Sequence, residues 1–304
     1  MRKITSLRKV LASLMIMLSV LVVSEFGVQP ITALAASAPI VRSDEVPGAY
    51  TGNGPYSYST YSLPTSYSTG GATVYYPTSY KAIAPFSALV YCPPYTATQI
   101  ALAAWGPFFA SHGIVLVTFD TTTIYDTVES RAAQQKTILN TLKAENTRIG
   151  SPLYGKLATD RIGAMGWSMG GGATWINSAE YPGLKTAMTL AGHNLSAMDM
   201  NSRGVNTKCP TLIMNGAMDM TYLGGMGQSI GVYSNIPVGV PKIIYEVASA
   251  DHFSWTTPTY ASPNVAVISL AFQKTYLDGD ARWAKYITRP SINVATWQTS
   301  SLKY

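Results

Sequence analysis

Cysteine, histidine and charge are all scarce in this chain. The two cysteines, Cys92 and Cys209, have no Cys or His close to them in sequence, so no metal-ligand spacing is present. No metal site and no cofactor are expected. Only three histidines occur, His112, His193 and His252, which leaves few candidates for a general base. Charged residues make up 12% of the chain, and no Lys/Arg cluster stands out beyond the N-terminus. That excludes the electrostatic footprint of a nucleic-acid binder. After residue 23 no run is long and apolar enough to span a bilayer, which takes about 20 residues.

The N-terminus is different. Arg2, Lys3, Arg8 and Lys9 precede an apolar run over residues 10–23, broken only by Ser13 and Ser19. Ala33-Leu34-Ala35 then offers an A-x-A cleavage pattern. This predicts a secretory signal peptide over residues 1–35 and no membrane anchor. Residues 36–304 are then one secreted domain, with 17 basic against 14 acidic residues, a net of +3. A hydrophobic content of 47% supplies a core for a domain of this length.

Beyond a small-residue stretch at 36–55, apolar runs alternate with helical patterns. Strands are predicted at 72–76, 87–91, 114–119, 161–167, 186–191, 211–214 and 242–247. Helices are predicted at 98–111, 129–145, 169–180 and 264–277. Continuous β-rich runs separated by helices indicate an α/β fold, a mostly parallel central sheet with helices on both faces. Cys92 then closes one parallel strand while Cys209 precedes another. The opposite ends of such strands lie beyond the ~7 Å limit for a bridge, so two free thiols are expected.

Gly166-Trp167-Ser168-Met169-Gly170 fits G-x-S-x-G, and a strand leads into it while a helix leaves it. A serine on such a turn needs small residues two before and two after it, and its hydroxyl stands exposed above the sheet edge. The glycines of this stretch do not give G-x-G-x-x-G, which argues against a phosphate loop. In this arrangement the acid and then the base follow the serine. His252 ends a short loop after the strand at 242–247, where open α/β sheets place their sites. His112 precedes the serine and reads as a turn residue. Asp219 lies five residues after the strand at 211–214 and 33 before His252. Asp251 is a poorer acid because adjacent side chains point apart, and Asp199 lies in a polar loop. The expected catalytic set is Ser168 as nucleophile, His252 as base and Asp219 as acid.

These residues resemble the bacterial cutinase and polyester hydrolase family, which includes enzymes that cleave poly(ethylene terephthalate). The resemblance runs from about residue 54 to about 280. Besides the elbow it rests on Pro93-Pro94-Tyr95-Thr96-Ala97, Trp105-Gly106-Pro107, Ser111-His112-Gly113, Tyr154-Gly155-Lys156, Pro210-Thr211-Leu212-Ile213 and His252-Phe253. It implies the α/β-hydrolase fold. It also implies an oxyanion hole from the backbone N–H groups of Tyr95 and Met169, and a substrate cleft at Tyr95, Trp167, Met169 and Phe253. Tyr95 follows the strand at 87–91 and Met169 opens a helix, so the elements agree with the oxyanion assignment. For Trp167, ordinary inward packing is an equal alternative.

Three departures stand out. His193 takes the place where the family usually has an aromatic residue, often Trp, and is expected in the cleft wall. Ala217 and Ala248 stand where thermophilic members carry calcium-binding acids. Cysteines are missing at the family's disulfide positions, including Gly216 and Ser254.

Only about 17 residues, His193 to Cys209, separate the strand at 186–191 from the next strand region, too few for a lid domain. The expected activity is hydrolysis of short-to-medium acyl esters and polyesters by a monomer, with poly(ethylene terephthalate) as a further substrate. Alternatives are a lidless lipase or carboxylesterase on lipid or small soluble esters, a serine peptidase, and a non-catalytic binding protein of the same fold. Low charge, no expected cross-links and 12 methionines point to modest, mesophilic or cold-adapted stability. A melting temperature above ~70 °C contradicts that expectation.

Overall fold

The computed structural model describes residues 37–65, 69–79, 84–194, 203–220 and 226–304. The expected signal segment at 1–35 and the acid candidate Asp199 lie outside them. Among the described residues nine strands form one sheet: β1 (Tyr58–Ser62), β2 (Ala72–Pro77), β3 (Phe86–Cys92), β4 (Val115–Phe119), β5 (Leu157–Trp167), β6 (Ala187–Leu190), β7 (Thr211–Gly216), β8 (Lys242–Val247) and β9 (Val294–Ser300). Their order is β1-β2-β4-β3-β5-β6-β7-β8-β9. The six strands from β4 to β8 pair in parallel, and β1, β2 and β9 add antiparallel edges. The helices are α1 (Trp105–Ser111), α2 (Val128–Glu145), α3 (Met169–Glu180), α4 (Met226–Asn235) and α5 (Pro263–Phe272).

The parallel strands are almost wholly buried, apart from residues 158–160 of β5 and Glu246 of β8, because both sheet faces are covered. In β3, Leu89 and Tyr91 pack with Trp105 and Phe109 of α1 and with α5. The alternate residues Ala88, Val90 and Cys92 pack with Ile138, Leu139 and Leu142 of α2 and Ala173 of α3. This period-2 division between two apolar layers is what a sheet with helices on both faces demands. Val232 of α4 and Ile236 just after it extend the cover over Ile213 and Ile244. Cys92 and Cys209 are both buried and unbridged. Among the described residues no helix is long and apolar enough to cross a membrane.

Several predicted boundaries change. The helix expected at 98–111 is a 3-10 turn at Gln99–Leu102 followed by α1. Pro107 lacks an amide hydrogen and is tolerated only in a first turn, so the α-helix starts at Trp105. The helix expected at 264–277 starts at Pro263, capped by the Ser262 side chain, and passes into a π-helical turn at Gln273–Asp278. Gly279, at φ 78°, ends it. The edge strands β1 and β9, whose residues are mostly exposed or half-buried, and helix α4 are additions to the sequence reading.

The π turn carries a buried charge cluster. Lys274 is 1% exposed, and its Nζ lies 2.5 Å from Glu45 Oε2 and 3.4 Å from Asp278 Oδ2. His112 Nδ1 meets the other Glu45 oxygen at 3.1 Å. Burial pushes the Glu45 carboxyl up, but Lys274 and the hydrogen bonds from His112 and Lys274 outweigh it and hold the group below its ordinary range. At Asp278 burial wins and raises the carboxyl, against the pull of Lys274 and Arg42. His112 is thus a structural residue that ties the segment before β1 to the core.

Candidate active site

The site is assembled at the carboxyl ends of β3, β5, β7 and β8. Ser168 follows β5 directly and caps α3 with φ 56° and ψ −124°, a strained backbone for a residue with a side chain. The turn is tight enough that a Cβ on Gly166 would lie 2.0 Å from Gly170 O. A Cβ on Gly170 would lie 2.2 Å from Cys92 O. Only glycine fits either place, which is the physical content of the G-x-S-x-G spacing.

The elbow brings together the three residues expected from sequence. His252 Nε2 lies 2.9 Å from Ser168 Oγ, and His252 Nδ1 lies 2.8 Å from Asp219 Oδ2. The Asp219 carboxylate is fully buried, and Ser168 and His252 are 2% and 8% exposed. The loops bearing the acid and the base are lashed to each other: Met218 N–H donates to Ala250 O at 2.9 Å and Ala217 N–H to Val247 O at 2.9 Å. Asp251 is otherwise engaged, accepting from Phe253 N–H at 2.9 Å and Ser254 Oγ–H at 2.7 Å.

Register brings the segments that bear the two expected amide donors to the same end of the sheet. Cys92 pairs with Gly166 across β3 and β5, so the loop after β3 passes beside the elbow. Among the described residues, no hydrogen bond occupies the amide of Tyr95 or Met169. The Met169 amide also sits at the first turn of α3, where backbone N–H groups favour negative charge.

Arg131 on α2 braces the Tyr95 loop, a role with no signal in sequence. It is fully buried and donates to Pro93 O at 3.1 Å, Ile124 O at 2.8 Å and Asp126 O at 3.0 Å. Tyr125 meets the Tyr95 ring edge-on at a centroid distance of 5.7 Å.

The residues expected to meet substrate divide into two groups. Tyr95 is 46% exposed and Phe253 66%, and with Tyr125 at 64% they present aromatic surface. Trp167, Met169 and His193 are buried. Trp167 packs inward, and its Nε1–H donates to His252 O at 2.9 Å, supporting the base from behind. The Met169 side chain packs in the α2–α3 layer, so only its backbone faces the site. His193 is not merely part of a wall: its Nε2 lies 3.0 Å from Ser168 Oγ. Burial and the neighbouring His252 bring the His193 imidazole down to about 4, against the opposing influence of the Asn194 backbone and Asp219. Among the described residues no group of three or more His, Cys, Asp or Glu is arranged to hold a metal ion.

Comparison with known proteins identifies the family. Residues 46–303 match the family model described as PET hydrolase-like. A bis(hydroxyethyl) terephthalate hydrolase of Streptomyces coelicolor is 33% identical over 250 residues, covering 81% of this chain and 76% of the relative. Cutinase 2 of Thermobifida cellulosilytica is 30% identical over 218 residues, covering 72% of this chain and 78% of the relative. Cutinase est1 of Thermobifida alba is 31% identical, covering 72% and 69%. By fold, by the match along most of its length and by these relatives, the chain belongs to the PET hydrolase-like family of α/β-hydrolases.

Proposed function

We propose that the chain is a secreted serine carboxylic ester hydrolase that cleaves short-to-medium acyl esters and polyesters. The observation that carries this is the unbroken hydrogen-bonded line from Ser168 Oγ through His252 to Asp219, at 2.9 and 2.8 Å, on a strained elbow. Ser168 Oγ attacks the ester carbonyl while His252 Nε2 takes its proton. Negative charge on the carbonyl oxygen is met by the Tyr95 and Met169 N–H groups, and donors of this kind are worth about 3 kcal/mol each. His252 then gives the proton to the leaving alcohol, and the acyl group stays on Ser168. Water then enters where the alcohol left, gives a proton to His252 Nε2 as it attacks the acyl carbon, and the acid is released as His252 returns the proton to Ser168 Oγ. Asp219 keeps the His252 proton on Nδ1 and stabilises the imidazolium.

The exposed rings of Tyr95, Tyr125 and Phe253 favour a flat, aromatic or polymeric ester over a small molecule held in a closed cavity. The relatives named for bis(hydroxyethyl) terephthalate and for cutin support the same class. Export follows from the basic and apolar N-terminus with its Ala33-Leu34-Ala35 site.

The test is product analysis on p-nitrophenyl esters, triglycerides, bis(hydroxyethyl) terephthalate and polyester films, with Ser168→Ala as control. Soluble acid and alcohol products are expected from both small esters and films. Release from small esters with none from any film makes the chain a plain carboxylesterase. Release from triglycerides alone makes it a lidless lipase.

A further inference from the structure

The nucleophile hydroxyl has two imidazole neighbours, and the hydrogen-bond inventory assigns a different task to each. A serine hydroxyl carries one proton and can accept two hydrogen bonds. His252 Nδ1 faces the Asp219 carboxylate, which only accepts, so His252 carries its proton there and presents a bare Nε2. The Ser168 proton therefore points at His252. His193 Nε2, 3.0 Å from the same oxygen, can then only donate. That assigns His193 the neutral tautomer protonated at Nε2.

The backbone holds this ring in place. His193 N–H donates to Ser168 O at 3.1 Å, and Ser168 N–H donates to Leu190 O at 3.0 Å. Ala191, at φ 43°, donates to Met214 O at 2.8 Å. Asn194 N–H donates to Gln228 Oε1 at 2.9 Å. Gly171 and Gly192 let this segment lie directly on the first turn of α3: a Cβ on Gly171 would sit 2.6 Å from Gly192 Cα. The segment bearing His193 is thus tied to the elbow, to β7 and to α4.

We infer that His193 is a further catalytic residue, donating its Nε2–H to Ser168 Oγ so that the hydroxyl is held in line with His252 and charge growing on the oxygen is met by a neutral donor. This rests on the triad reading above. Neutrality matters because His252 becomes an imidazolium as it takes the proton, and a second cation 5.6 Å away between ring centres would oppose that step. Burial and His252 keep His193 uncharged well below neutral pH. The benefit falls on acylation, where Oγ changes from hydroxyl to attacking oxygen.

Three variants separate this role from packing. His193→Phe keeps the ring and loses the donor. His193→Gln carries an amide N–H at about the reach of Nε2, and His193→Asn has the same amide on a shorter stem. The readouts are the second-order rate of Ser168 labelling by an organophosphonate, kcat and KM on a p-nitrophenyl ester, and melting curves. Losing one neutral hydrogen bond is expected to slow labelling and kcat by roughly fivefold to tenfold in the Phe and Asn variants, with KM little changed. Gln restores most of the rate at an unchanged melting temperature. Phe labelling as fast as or faster than wild type, or Gln no better than Asn, overturns the assignment. Failure of wild type to label at Ser168 refutes the triad reading instead.

Discussion

Ser168→Ala, His252→Ala and the double variant are each expected to lower kcat by on the order of a millionfold, with no further loss on combination. The reason is that serine and histidine act as one unit. Without Oγ there is no nucleophile, and without His252 Nε2 the hydroxyl keeps its proton. His193 does not rescue the base: it lacks a carboxylate partner, and burial brings it down to about 4, far too weak a proton acceptor. Asp219→Asn is expected to cost about ten-thousandfold. An amide donates to Nδ1 and so shifts the His252 proton to Nε2, the nitrogen that must be bare. Single-turnover rates on a p-nitrophenyl ester check this series, with circular dichroism to confirm the fold. Losses that multiply in the double variant would show that the two residues do not share a step.

Lys274→Met is expected to destabilise the protein by about 3–5 kcal/mol at neutral pH, though it lies outside the catalytic group. Met fills a similar volume but leaves Glu45 and Asp278 in the core without their shared cation. The pH dependence carries a sign. In the native protein Glu45 is held below its ordinary value, so its contribution is present above that value and fades as acid protonates it. Without Lys274, burial dominates at both carboxyls and raises them, and the cost of keeping them charged is relieved as pH falls. The gap between wild type and variant therefore narrows from neutral pH toward about pH 4. Urea unfolding of both proteins at the two pH values measures it. A gap below about 1 kcal/mol at neutral pH would mean that the cluster is no more than a surface pair.

The elements that place the nucleophile are readable in sequence because they are sterically forced. Gly166 and Gly170 have no room for a Cβ, so the elbow announces itself. His252 is readable because histidine is scarce and His112 lies before the serine. Asp219 follows from the strand it succeeds. The parallel strands are readable because burial on both faces makes them continuously apolar.

Other features carry no such signal. β1 reads Tyr-Ser-Thr-Tyr-Ser and is mostly exposed, so its pairing with β2 leaves no hydrophobic pattern. The contact between His193 and Ser168 depends on a positive φ at Ala191 and on the close approach of Gly192 to α3, neither of which spacing reveals. Arg131 reaches Pro93 across 38 positions of sequence, through a helix whose pattern marks it only as a basic residue among apolar ones.

The proposed activity requires Ser168 to be a hydroxyl activated by its neighbours. Incubation of the full chain with an organophosphonate, followed by mass spectrometry of peptides, tests this directly. One adduct per chain is expected, on Ser168, with loss of esterase activity in step with labelling and no adduct in His252→Ala over the same time. An unlabelled Ser168 in an active enzyme, or an adduct on another residue that accounts for the lost activity, would contradict it.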